Sequence, residues 1–165
     1  MAESRLKDIK VLHRESLSVR EFFVHYGKEL ALELHSPDGD LDCFIAESGI
    51  HRPGLAMAGY TKVYSSKQIQ VIGHTEWNYL ESLGPEARSK IFESLSVFRA
   101  PMWVVTHAQK PHRELQDMCT KLHIPLFSTT QHTFEFVKFA QRMLEEYVAP
   151  HAIIHGSLVD VYGIG

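Results

Sequence analysis

The chain has 165 residues, 44% of them hydrophobic and 22% charged, with a formal net charge of -3. That length suits one domain, or one domain and a fragment, and is enough to bury a proper core. No basic surplus argues for a nucleic-acid partner, and no acidic run argues for a solvating tail. The first residues, Met1 to Lys7, are polar and do not read as a signal peptide. No apolar run approaches about 18 residues, so no membrane contact is expected and the cytoplasm is the expected setting.

Ser18-Val-Arg-Glu21 matches a capping box ahead of Phe22, Phe23 and Tyr26, which predicts a helix over 18–27. Leu30 to Leu34 reads as a strand, and Ser36 to Asp40 as a turn. Asp38, Asp40 and Asp42 sit at calcium-loop spacing. The sixth and twelfth positions, however, are Cys43 and Gly49 where Gly and Glu are needed, so the calcium reading fails. Pro53 can open a helix at its first position, running to Gly59. Ile69 to Ile72 is a short apolar strand, and Thr75 is expected to cap a helix carrying Trp77, Tyr79, Leu80 and Leu83. Gly84-Pro85 restarts a helix with Ala87, Ile91 and Leu95 in line. Met102 to Val105 reads as a strand. Pro111 opens a helix with Leu115, Met118, Cys119 and Leu122 at helical spacing. Pro125 to Phe127 is a strand. Thr133 opens the clearest helix, with Phe136, Phe139, Ala140, Met143, Leu144 and Tyr147 on one face and Lys138, Arg142, Glu145 and Glu146 opposite. Ala149-Pro150 ends it, and Ala152 to Ile154 begin a final strand.

This alternation predicts an α/β fold: a mostly parallel sheet flanked by helices, followed by an orphan strand. The boundary falls at 148/149, with residues 1–148 as one domain and 149–165 as a linker and the first strand of another. The tail, HAIIHGSLVDVYGIG, is rich in β-formers that need a sheet to pair with. The expectation is that a second, truncated domain begins there.

Two cysteines, Cys43 and Cys119, form no CxxC, which argues against a disulfide scaffold or a zinc ribbon. Eleven histidines raise the question of metal. His107, His112, His123 and His132 are scattered in sequence. His151 and His155, on a strand, would lie roughly 13 Å apart, too far for one ion. No metal site is expected.

Three blocks resemble the HPr kinase/phosphorylase family, bacterial enzymes that phosphorylate a serine of the phosphocarrier protein HPr and reverse that reaction. The first is Arg52-Pro-Gly-Leu-Ala-Met-Ala-Gly59, similar to the family's RPGLALAG. The second is Ile69-Gln-Val-Ile-Gly-His-Thr-Glu76 with Tyr79-Leu80. The third is Ala149-Pro150 followed by His155 to Gly165. The resemblance implies an N-terminal domain similar in fold to that of Mur ligases, and a homo-oligomer, hexameric in the family. It implies that ATP and Mg²⁺ serve the full-length enzyme at a phosphate loop of the form GxxxxGK[ST], with HPr as the partner. Residues 1–165 contain no such loop, so the fragment alone is expected to be inactive and to bind neither ATP nor Mg²⁺. His155, at the HG of the third block, is the one residue to which the resemblance assigns a catalytic role. Asp160 and Ser157 offer weaker candidates, a strand-edge acid and a serine outside any GxSxG elbow.

Two other positions could bind a ligand on their own chemistry. Arg52 could hold an anion at a helix N-terminus, though a plain turn explains it too. His74 and Thr75 follow Gly73 at a strand-to-helix turn, where open α/β sheets bind ligands. The competing function is therefore a stand-alone regulatory α/β module that binds a small phosphorylated or nucleotide ligand.

Overall fold

The computed structural model describes residues 11–12, 16–149 and 151–152. In chain order the elements are β1 (Val11–Leu12), β2 (Leu17–Ser18), α1 (Val19–Tyr26), β3 (Leu32–Leu34), β4 (Phe44–Ile45), β5 (Ile50–His51), α2 (Gly54–Met57), β6 (Ile69–Ile72), α3 (His74–Glu81), α4 (Pro85–Leu95), β7 (Trp103–Val105), α5 (Arg113–Leu122), β8 (Leu126–Thr129), α6 (Thr133–Val148) and β9 (His151–Ala152). The central sheet runs β3-β8-β7-β6-β5. β5 to β8 are parallel neighbours, and β3 closes one edge antiparallel to β8, with Leu32 opposite Thr129. The expected α/β architecture with a mostly parallel sheet is therefore the one observed.

The strand sequences explain the layering. Alternate side chains of a strand point to opposite faces. Met102, Val104, Ile69, Val71 and Phe127 pack with Phe22, Phe136, Ala140, Met143 and Leu144, so α1 and α6 cover one face. Trp103, Val105, Ile72 and Leu126 pack with Met57, Leu80, Phe92, Leu95, Leu115 and Met118, so α2 to α5 cover the other. Four parallel strands are adjacent in chain order. Crossovers of one hand that always step in the same direction put their helices on the same side. α6 follows the last parallel strand and turns back to the opposite face.

Local signals placed most elements. Ser18 caps α1 as expected: its hydroxyl accepts the Glu21 N–H at 3.1 Å, and the Glu21 carboxylate accepts the Ser18 N–H at 3.1 Å. The start of α3 differs from expectation. Gly73 is the cap and Thr75 lies inside the first turn, because Glu76 reaches back to accept the Gly73 N–H at 3.0 Å. The helix expected to open at Pro111 starts at Arg113, and the helix expected from Pro53 to Gly59 is one turn, Gly54–Met57. β5 and the β2–β4 pair carry too few residues to show a period. Of the expected final strand, Ile153 and Ile154 lie outside the described residues, and Ala152 forms β9 together with His151. His151 and Ala152 are not orphaned, since they pair antiparallel with Leu12 and Val11. His155, Ser157 and Asp160 lie outside the described residues. Among the described residues, no helix is long and apolar enough to cross a membrane.

Candidate functional site

The parallel strands end together at one edge of the sheet, and each delivers a polar residue there. Arg52 follows β5, Gly73 and His74 follow β6, Thr106 and His107 follow β7, and Thr133 follows β8. This is the edge at which open α/β sheets characteristically bind ligands. A cavity of about 350 Å³ opens there, lined by Arg52, His74, Thr75, His107, Thr133, Phe134 and Val137.

Glu76 organises the floor. It is 7% exposed, and its Oε2 accepts Arg52 Nη2 at 2.6 Å and the Gly73 N–H at 3.0 Å. A buried carboxylate needs such partners. Gly73 is required by space. A Cβ there would lie 2.8 Å from Thr133 Oγ1 and 3.0 Å from Arg52 Nη2, so a bare backbone lets the hydroxyl and the guanidinium converge. Arg52 does not serve the short α2 that follows it. It turns instead toward the start of α3, where it meets Glu76.

Three histidines that sequence position scatters are brought together. The His74 and His107 rings lie 5.3 Å apart, and those of His107 and His132 lie 4.6 Å apart at 89°. The Thr133 N–H donates to His107 Nε2 at 3.3 Å, and Thr133 Oγ1 lies 3.1 Å from the same nitrogen. An accepting Nε2 places the His107 proton on Nδ1, from where it is shared with His132 Nδ1 at 3.1 Å. Burial, then the neighbouring His132 and His74, hold His107 below its ordinary imidazole range. His107 and Ala108 both have positive φ, 64° and 54°, and their N–H groups donate to Gln131 and Thr129 carbonyls at 2.9 Å. The loop after β7 is thereby tied to the loop after β8. Thr106 Oγ1 extends the network, 2.8 Å from Thr133 Oγ1 and 3.2 Å from the Ile72 carbonyl.

The sequence reading singled out Arg52, His74 and Thr75, and the cavity gathers all three. It missed Glu76, Thr106, His107 as a partner of His74, and Thr133. The Glu76 position, three residues after Gly73, was the available signal for the reach-back. His112 and His123 lie elsewhere: His112 stacks on Trp77 at 3.9 Å and contacts Glu81 at 2.8 Å, and His123 lies in the αL position after α5. Among the described residues, no group of three or more His, Cys, Asp or Glu is placed to hold a metal ion.

Fold and edge together define a three-layer α/β domain with a polar crevice at the carboxyl ends of its strands. The family described as HPr Serine kinase N terminus matches residues 17–144, and the chain belongs to it. Similar curated proteins carry the name HPr kinase/phosphorylase. That of Chlorobaculum tepidum is 37% identical over 161 residues, 96% of this chain and 47% of the relative. That of Chloroherpeton thalassium is 34% identical over 94% of this chain and 46% of its own. That of Chlorobium luteolum is 35% identical over 96% and 48%. The chain thus spans about half the length of the curated relatives it matches.

Proposed function

We propose that this chain is the N-terminal portion of a bifunctional HPr serine kinase/phosphorylase, which moves a phosphoryl group from ATP to a serine of HPr, removes it by phosphorolysis, and so regulates carbon metabolism. One observation carries the reading: similarity to relatives of that name runs through 96% of the chain, past α6 and into the tail. Those relatives are about twice as long, and in this reading the phosphate loop that takes ATP and Mg²⁺ lies beyond Gly165. The N-terminal domain, residues 1–148, is then an assembly or regulatory module of a cytoplasmic homo-oligomer, a hexamer by family resemblance. Residues 1–165 alone transfer no phosphate.

Phosphoryl transfer is mostly positioning and charge stabilisation. In this reading His155 contacts the phosphates or orients the acid/base group beside them. ATP and Mg²⁺, when bound, supply the phosphoryl group and neutralise its developing charge. The test compares the 165-residue chain with the gene product read past Gly165, each incubated with HPr, ATP and Mg²⁺. The longer protein should phosphorylate HPr and the short chain should not. Phosphorylation by the short chain overturns the assignment of chemistry to later residues, and none by either overturns the kinase reading. In the longer protein, His155→Ala should lower turnover while leaving the melting temperature unchanged. Wild-type rates would remove His155 from the site.

A further inference from the structure

We propose that the cavity at the carboxyl edge of the sheet is a binding site for a phosphomonoester of nucleoside monophosphate size. Its phosphate would be held by Arg52 with the hydroxyl of Thr75, and its planar body would lie against Phe134 and Val137. The inference concerns residues 52 to 137 and does not rest on the kinase reading.

The lining carries the argument. A guanidinium, two imidazoles and two hydroxyls face the cavity, and among the described residues no carboxylate lines it. The nearby acid, Glu76, sits beneath the floor, almost fully buried and already engaged with Arg52 and the Gly73 N–H. The Arg52 side chain is 45% exposed and uses one nitrogen on Glu76. The rest of its planar fork suits the oxygens of a phosphate, which guanidinium groups grip at two points. Glu76 fixes that fork in place, so little ordering remains to oppose binding. The absent Cβ of Gly73 leaves the hollow in which Arg52 and Thr133 meet. The first turns of α3 and α6 both begin at this cavity, and their amides add to the field favouring an anion.

The outer wall is different in kind. Phe134 is 78% exposed on the first turn of α6, and Val137 stands beside it in the lining. A large exposed aromatic next to a cationic pocket provides a stacking surface for a base. A volume of about 350 Å³ falls in the range of small-ligand clefts, roughly 300–1,000 Å³. A bare phosphate would leave most of it and the whole apolar wall unused.

The experiment is a calorimetric titration of the chain with inorganic phosphate, ribose 5-phosphate, AMP and adenosine at low ionic strength. AMP should bind with a Kd of about 1 mM or tighter, ribose 5-phosphate and phosphate more weakly, and adenosine not at all. Arg52→Lys keeps a cation over Glu76 and loses the fork, and should weaken the three phosphate-bearing ligands about tenfold. Phe134→Ala touches only an exposed ring, and should weaken AMP alone, by about fivefold or more. Melting curves of both variants control for folding. Three results overturn the proposal: no saturable binding of AMP, adenosine binding as well as AMP, or AMP binding no tighter than phosphate. Unchanged AMP affinity in either variant also overturns it.

Discussion

The two edges of the central sheet are built from the same strands and differ in what their polar groups do. At the carboxyl edge, residues from four separate loops point at one space, and Glu76 under Arg52 holds them there. At the amino edge, a smaller cavity of about 190 Å³ is lined by Asp40, Cys43, Arg99 and His123 among others. Its groups close loops. The Asp40 N–H donates to the His123 carbonyl at 2.8 Å, and Cys43 Sγ donates to the Pro101 carbonyl at 3.1 Å. Asp40 and Arg99 meet only at 3.9 Å, both well exposed. Burial, reinforced by Asp40, pushes the Cys43 thiol up to about 11, so it is held as an unreactive thiol. One edge is organised around a gap and the other around its own backbone. Strand ends alone do not make a site; a buried group that fixes an exposed one does.

The sharpest way to break this contrast is to remove the buried anchor. Glu76→Ala leaves the Gly73 N–H unpaired and frees Arg52. It should cost about 2–3 kcal/mol in urea-denaturation free energy, the order for a buried N–H left unsatisfied together with a lost charge-assisted hydrogen bond. A cost below about 0.5 kcal/mol, the surface-substitution level, would show that Glu76 organises nothing. Next in size is Gly73→Ala. Its new methyl meets Thr133 and Arg52 at 3.0 Å or less, and overpacking of that kind costs about 1–3 kcal/mol. The backbone at Gly73 is extended, with φ -90° and ψ -175°, so the cost is one of space and should fall if Thr133 is shortened to Ser in the same chain. A double-mutant cycle reads this coupling directly.

Much of the fold could be read from the sequence because its strands are buried on both faces. Met102–Val105 reads as a continuous apolar run, and Ile69–Ile72 is broken only by the buried Gln70, as central parallel strands are mostly apolar. β5 could not be found, since Ile50–His51 is defined by pairing with Ile69 and Gln70 rather than by composition. The site was half visible. Arg52 and His74 announce themselves beside a Pro and a Gly at element boundaries. His107 and Thr133 do not, because 26 residues separate them and only the adjacency of β7 and β8 brings them to 3.1 Å. Thr75 looked like a cap because it is the nearest side chain of capping type. The backbone instead used Gly73, whose N–H is served by a glutamate from within the helix. A polar network assembled by topology has no linear signature.

Acid separates the edges further. The folded state holds His107 below its ordinary range, so folding disfavours its protonated form. The unfolded chain then binds the proton more readily, and stability rises with pH between the folded and unfolded values. This contribution is complete above the unfolded value, about 6.5, and is lost as pH falls through the folded one. Protonation at Nε2 also turns the acceptor of the Thr133 N–H into a competing donor. Melting temperatures followed downward from neutral pH should decline less in His107→Gln than in the parent. Identical declines would mean that His107 does not titrate with folding.

The smallest effect belongs to the amino edge. Arg99→Ala removes an exposed guanidinium whose partner oxygen is 3.9 Å away. Such pairs contribute about 0–1 kcal/mol, and here the long distance puts the expectation at the bottom of that range. Salt screens it further, so the variant and the parent should melt together at high ionic strength. Both edges carry an arginine near a carboxylate, and they differ in whether the carboxylate is buried. If Arg99→Ala destabilised as much as Glu76→Ala, burial of the partner would not be what distinguishes them. The carboxyl edge would then lose its claim to be the one built to hold a cation still for a ligand.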